Sequence, residues 1–341
     1  MEPTAPDSTP FANRLRKNAR RLFKWAARQE LTAFRLYDRD LPEAPYVVEW
    51  YDGRVHLVEY PRRKSLRQGT LEAERAAALA AVREVLEVPP ERIFTKTHLP
   101  HAWGRSQYGL TGEASAPFTV KEHGLTFEVE LAGRLDTGLY MDHRKTRARV
   151  RAEAAGKRVL NLFAYTGSFT VAAAVGGASS TTTVDLSATY LDWAARNLAH
   201  NGLRAGGAHA LVRADVVQWL EEQADLKEQR WDLIVLDPPP FSTSKKMRGD
   251  FNVQRDHPRL VVNALTVLEP DGALYFSTNY LGFELEPGRI PGAGFEELTP
   301  GSLPEDYSRK DSHRLWRITR GAATAARGSS RGSTGRAPGL R

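Results

Sequence analysis

One proline-rich loop and a few strand-end acids carry the chemistry legible in this chain. The stretch Trp231-Asp232-Leu233-Ile234-Val235-Leu236-Asp237-Pro238-Pro239-Pro240-Phe241-Ser242 begins as an unbroken apolar run and ends on a carboxylate, three prolines and an aromatic ring. Such a run is what a parallel strand covered on both faces requires. Proline donates no N–H, so the ladder must stop there. The result is a stiff loop at the carboxyl end of a central strand, where open α/β sheets bind ligands. Pro238, Pro239 and Phe241 would wall a flat slot in which a planar base stacks, a contact worth roughly 1–3 kcal/mol per base. Asp237, acceptor-only when ionised, could accept from N1–H and the 2-amino group of a guanine together. That pose leaves the N7 edge free. N7 carries a lone pair and no proton, so alkylating it needs no general base.

A second group lies upstream. Thr166, Gly167 and Ser168 form a tight turn between an apolar run and a helical one, a geometry that aims backbone N–H groups at a ligand. The turn has a single glycine and is not G-x-G-x-x-G, so it is a poor pyrophosphate cradle. Asp185 ends the next strand 18 positions after Gly167, where an acid can accept both hydroxyls of a ribose. Asp215 ends the strand after that, within reach of an adenine amino group. Together they favour an adenosine ligand without pyrophosphate, S-adenosyl-L-methionine over NAD. A methyl group on a sulfonium moves by in-line displacement, so the protein has chiefly to position the acceptor and exclude water.

The elements that must hold these residues follow a β-α alternation. Strands are expected at 159–163, 181–184, 210–213, 233–236, 273–277 and 315–319, with helices at 169–175, 191–200, 216–224 and 257–268. That pattern is a doubly wound, mostly parallel α/β sheet over residues 136–320. Ahead of it, residues 11–135 read as a smaller α+β domain. Asp52-Gly53 sits between two β-rich runs, a strong hairpin signal; a helix spans 71–88 up to Pro89-Pro90; a strand covers 93–97; and 118–131 forms a second hairpin. Residues 1–10 are expected to be disordered and 321–341 a flexible basic tail.

Composition narrows the function. The 341 residues carry a net charge of +7 and no cysteine, which removes disulfides, thiolate metal sites and cysteine nucleophiles. No run reaches the ~20 apolar residues of a membrane span, and the N-terminus lacks a signal-peptide core, so a cytoplasmic protein without membrane or metal partners is expected. Between positions 13 and 28 there are seven Arg or Lys and no acid. An amphipathic helix there, with Arg14, Arg16, Lys17, Arg20 and Arg21 on its cationic side, would suit phosphate contact. Lys245, Lys246 and Arg248 could hold backbone phosphates beside the proline loop.

Several stretches resemble one family, the RlmK-type 23S rRNA (guanine-N7)-methyltransferases. They are Asn13–Asn18, Arg35–Asp38, Asp136–Arg144, Leu160–Ser168, Ser180–Ser187, Asn201–Leu203, Asp237–Pro239 with Phe241-Ser242, and Val253–His257. The resemblance implies a class I S-adenosylmethionine-dependent, Rossmann-like methyltransferase domain preceded by an RNA-binding domain, with 23S rRNA or a large-subunit precursor as partner. It also implies cofactor contacts from Phe163, Thr166, Gly167, Asp185 and Asp215, to which the neighbouring Asn161, Ser168, Leu186 and Ser187 are added. Asp142-His143-Arg144 has two readings. Asp142 and Arg144 close over the methyl donor, or the triplet is a salt-bridged domain junction.

Two departures stand out. Pro240 replaces the family's Thr. The second methyltransferase half to which such chains are fused in many bacteria is missing from this sequence. The related RlmI-type enzymes share 136–144 but use a cysteine nucleophile, which is excluded here. The alternatives left open are methylation of an exocyclic amine (guanine N2 or adenine N6), a non-catalytic RNA-binding assembly factor, and an NAD-dependent dehydrogenase.

Overall fold

The computed structural model describes residues 9–62, 65, 69–98, 116–133, 136–226, 230–243, 249–309 and 311–321. Apolar residues at helical spacing open the chain. Phe11, Ala12, Leu15, Ala19, Leu22 and Ala26 form the buried stripe of helix α1 (Thr9–Arg28). Thr9 and Pro10, expected in a disordered tail, are its first turn; Pro is tolerated there because that N–H has no helical partner.

Strands β1 (Ala33–Asp38), β2 (Tyr46–Tyr51), β3 (Arg54–Glu59) and β4 (Ile93–Thr97) form a sheet in that order, and helix α2 (Leu71–Leu86) crosses from β3 to the parallel β4. Asp52 and Gly53 both have positive φ, 47° and 83°, as a type I′ hairpin turn demands. β1 escaped the sequence reading, because Ala33-Phe34-Arg35-Leu36-Tyr37-Asp38 lacks a clean two-residue alternation: all but Arg35 are buried. α1 and α2 share one apolar cluster with this sheet.

The hairpin β5 (Phe118–Glu122) and β6 (Leu125–Val129) turns on His123 and Gly124, again both at positive φ. Its buried Val120, Phe127 and Val129 pack with Val171, Ala172 and Leu198, residues of the helices beyond it. Ala33 and Tyr51 of the first sheet join the same cluster. The hairpin is therefore the seam between the two halves.

After helix α3 (Arg144–Glu153), the alternation runs β7 (Arg158–Leu162), α4 (Ser168–Val175), β8 (Ser180–Asp185), α5 (Ala188–His200), β9 (His209–Arg213), α6 (Val216–Leu226) and β10 (Trp231–Leu236). A short ribbon of β11 (Phe241–Ser242) and β12 (Phe251–Asn252) follows. Then come α7 (Val253–Val267), β13 (Leu268–Thr278), β14 (Ala293–Glu297), the single turn α8 (Thr299–Ser302) and β15 (Arg314–Arg320).

α7 starts earlier than 257 because it is capped reciprocally. The Asn252 side chain accepts from Arg255 N–H, and Asp256 accepts from Asn252 N–H, in the manner of a capping box. The sheet order is β14-β15-β13-β10-β7-β8-β9. Pairing is parallel from β13 to β9, while β15 runs antiparallel to both β13 and β14. Leu233, Ile234, Val235 and Leu236 on the central β10 are at most 1% exposed, so the site loop leaves from a fully buried strand.

Candidate active site

The loop from β7 to α4 is held in a demanding backbone conformation. Phe163 and Tyr165 have φ of 55° and 51°, and Gly167 has 73°. Left-handed backbone in non-glycine residues costs of order 1–3 kcal/mol each and concentrates at functional sites. Part of the compensation is Asp185. Its Oδ2 accepts from Tyr165 N–H and its Oδ1 from Ser187 N–H, both at 2.9 Å. Burial pushes the Asp185 carboxyl above its usual range, partly offset by these N–H groups. With the Leu186 N–H also bonded to this carboxylate, its two oxygens keep one of about four acceptor positions for a ligand hydroxyl. A Cβ on Gly167 would lie 2.6 Å from Ala194 Cβ, so glycine is required there by φ and by packing on α5.

Ser187 caps α5, accepting from Tyr190 N–H. Asp215 accepts from Val217 N–H at the start of α6. Half-buried Phe163, Leu186 and Ser168 line the same stretch of strand ends, Phe163 lying against Phe251 with ring centroids 5.7 Å apart. Thr166 is fully buried and donates to Gly138 O at 2.7 Å, so its side chain ties the loop to the preceding segment. Asn161 is also turned inward. Its amide donates to Thr170 Oγ1 beneath α4, and Thr170 in turn contacts Thr183.

The acceptor side is built on the end of β10. Asp237 Oδ1 accepts from Ser277 Oγ at 2.6 Å, across from the end of β13. Asp237 Oδ2 lies 3.6 Å from His143 Nε2. Pro238 is buried, and Pro239 and Pro240 half-buried. Pro240 O accepts from Val253 N–H, tying the loop to α7. Phe241 is 55% exposed, edge-on to Tyr280 at 5.9 Å.

Asp142-His143-Arg144 divides between its two readings. Asp142 Oδ2 accepts from His313 Nδ1 at 2.9 Å, and His313 Nε2 meets Ser302 Oγ at 2.9 Å. His143 stacks on His313 with centroids 4.1 Å apart. Burial alone would raise the Asp142 carboxyl, but His143 and His313 outweigh it and hold it far below the carboxylate range. Burial, with His313 beside it, pushes His143 down to about 4. Asp142, His143 and His313 are close enough together to surround a cation. His313 spends both ring nitrogens on Asp142 and Ser302.

Arg144 is the junction. It is 2% exposed, donates to Asp306 Oδ1 and to Ala33 O at 2.9 Å each, and lies 3.5 Å from Glu122. Its guanidinium bridges the two halves, the arrangement that the second reading describes.

On α1, Arg14, Lys17, Arg20 and Arg21 are exposed. Arg16 is instead paired with Glu84 of α2 at 2.7 Å, so it serves helix packing. Lys245, Lys246 and Arg248 lie outside the described residues. Sequence reasoning missed Ser277, Ser302 and His313. Ser277 closes a strand and His313 directly precedes one, and strand-end position was the available signal.

The fold and the paired strand-end acids define a class. A model of the S-adenosylmethionine-dependent methyltransferase family matches residues 75–284, and the chain belongs to that family. Its relatives narrow the class. The chain is 48% identical over 312 residues to "Ribosomal RNA large subunit methyltransferase K" of Neisseria meningitidis, covering 92% of this chain and 87% of that one. It is 45% identical to the "methyltransferase K/L" of Methylococcus capsulatus and 46% identical to that of Pseudomonas aeruginosa, of which it spans only 43% and 42%. The motif resemblance to RlmK-type proteins therefore agrees with the relatives. Among solved structures, a methyltransferase from Streptococcus mutans has the same fold at TM-score 0.72 and 23% identity, covering 93% of this chain and 82% of that one. SMU.776 complexed with SAH superposes at TM-score 0.72 and 24% identity, covering 93% and 83%.

Proposed function

We propose that this S-adenosylmethionine-dependent enzyme methylates N7 of a guanine in large-subunit (23S) rRNA. The observation that carries the reading is Asp237: a carboxylate at the carboxyl end of β10, seated by Ser277 and followed by Pro238, Pro239 and the exposed ring of Phe241. The names of the relatives support rRNA as the substrate. S-adenosylmethionine, held at Asp185 and Asp215, would supply a sulfonium methyl group for the N7 lone pair, with its thioether as the leaving group.

The residues fit that ligand. Asp185 keeps an acceptor position for a ribose hydroxyl, Asp215 stands at the next strand end for the adenine edge, and Phe163, Leu186 and Ser187 follow the ends of the neighbouring strands β7 and β8, with Gly167 and Ser168 at the head of α4. Asn161, Thr166 and Arg144 act through the protein by shaping the loop and the junction. Asp142 is held low by His143 and His313 and stays ionised. The acceptor needs no base, because N7 carries no proton. A carboxylate accepting from N1–H and the 2-amino group also stabilises the positive charge that grows on the ring. The exposed cations of α1 supply phosphate contacts.

Asp237→Asn tests the reading. Replacing the carboxylate by an amide should lower turnover about 100-fold or more, the loss of one charge-assisted pair in the transition state, while cofactor affinity stays within about twofold because Asp237 lies on the acceptor side. Mass spectrometry of digested RNA should locate the methyl as 7-methylguanosine. A methyl on N2 of guanine or N6 of adenine, or an unimpaired variant, would overturn it.

A further inference from the structure

Asp237 is bonded on one side and flanked on the other. Ser277, 1% exposed on the neighbouring strand, donates to Oδ1. His143, 4% exposed on the short turn Met141–His143, presents Nε2 to Oδ2 at 3.6 Å. His143 Nδ1 is buried with no hydrogen-bond partner, and that orphan decides the tautomer. A proton on Nδ1 would bury an N–H without an acceptor and turn the Nε2 lone pair toward a carboxylate; both cost free energy. A proton on Nε2 faces Asp237 and leaves only a lone pair unmatched. At 3.6 Å the pair is slightly long for a hydrogen bond, and a shift of well under 1 Å closes it.

The ring cannot swing away. It stacks on His313 at an interplanar angle of 15° and meets Phe169 edge-on at 5.6 Å. His313 is itself pinned between Asp142 and Ser302. Burial keeps His143 neutral at physiological pH, so it directs the carboxylate without cancelling its charge.

We propose that Ser277 and His143 are positioning residues that fix the plane of the Asp237 carboxylate and thereby make it selective for guanine. The inference rests on the reading of Asp237 as the acceptor of N1–H and the 2-amino group. With one lone pair of each oxygen taken inward, the outward pair forms two parallel acceptors. Guanine offers two parallel donors to match. Adenine offers a lone pair at N1, which a carboxylate repels.

The test uses the full chain with Ser277→Ala, His143→Leu and His143→Gln, and target RNA carrying guanosine or inosine, which lacks the 2-amino group, at the modified nucleotide. Wild type should prefer guanosine by about 10- to 100-fold, the range for one hydrogen bond to a charged acceptor. His143→Leu and Ser277→Ala should lower kcat about tenfold, leave KM for the cofactor unchanged, and shrink the guanosine preference to within about threefold. His143→Gln, whose amide N–H can reach Oδ2, should restore both. If His143→Leu fails to fold, Ser277→Ala and His143→Gln decide the matter.

Retained guanosine preference in Ser277→Ala and His143→Leu, or a folded His143→Gln as defective as the leucine variant, overturns the positioning role. A wild-type product other than 7-methylguanosine overturns the reading of Asp237 and the inference with it. Correct N7 product with unaltered selectivity in the variants overturns the inference alone.

Discussion

Two imidazoles stacked at 4.1 Å cannot both carry charge cheaply in a buried site, and this has a consequence for stability. His143 titrates near 6.5 in the unfolded chain and near 4 in the fold, because burial and His313 oppose its protonation. Between those values the unfolded state binds the extra proton. Stability is therefore full above pH 6.5 and falls as the pH drops toward 4. His56, His123 and His257 lean the same way through burial. Asp142 titrates below this window and does not alter the sign. The urea midpoint should be lower at pH 5 than at pH 7, and His143→Gln should lose less over that interval; an identical drop in both proteins would exclude a contribution from His143. At this scale the sequence revealed Asp185, Asp215 and Asp237, since an acid closing a β-rich run is visible locally. Ser277 and His313 were not legible, because they reach the site from positions 40 and 76 residues beyond residue 237, and only the strand order brings them together.

Among the elements, α1 shows how one helix serves two partners. Leu15, Ala19 and Leu22 face the core, and Arg16 reaches Glu84 of α2, which leaves Arg14, Lys17, Arg20 and Arg21 in solvent. Replacing those four by Ser should lower RNA affinity and flatten the log–log salt slope by about 3, at roughly 0.7–0.9 per phosphate contact. Filter binding across a salt series reads both, and an unchanged slope would remove α1 from the RNA interface. Arg16→Ser, by contrast, should leave the slope alone. The charge run was readable from the sequence; the diversion of Arg16 was not, because helical spacing alone cannot say which neighbour a cation meets. The β7–α4 loop teaches the same lesson. Its single glycine marked it as a weak cradle, yet Phe163 and Tyr165 adopt left-handed backbone, and Asp185 holds Tyr165 through its N–H.

At the scale of the whole molecule, the halves are joined by charge as well as by the β5–β6 hairpin. Asp306, whose side chain is fully buried, accepts from Arg144 through Oδ1 and from Arg35 N–H through Oδ2. Arg35 also lies over the Tyr307 ring at 4.0 Å. Arg147 forms two 2.7 Å bonds to Glu122 of the hairpin. Asp306→Ala would strand a buried guanidinium, which costs roughly 3–5 kcal/mol. Urea unfolding should register that loss, and a change below about 1 kcal/mol, the range of an exposed pair, would show that the junction does not depend on this carboxylate. The alternation of strands and helices made the α/β half legible from the sequence. The seam was not, since the hairpin's apolar face does not announce which half it covers.

The antiparallel β15 has one more consequence, which concerns time. It slots between β13 and β14, so the sheet stays open until residue 320 has been synthesised. The same late segment delivers Asp306 to the junction and His313 to the cleft. Domains emerge N-terminus first from the ribosome, and here the first sheet can form long before the second is sealed. A growing or prematurely ended chain would thus own Asp185, Asp215 and Asp237, yet lack His313, on which His143 stacks. On the ribosome, the stacked pair of His143 and His313 would therefore be completed last.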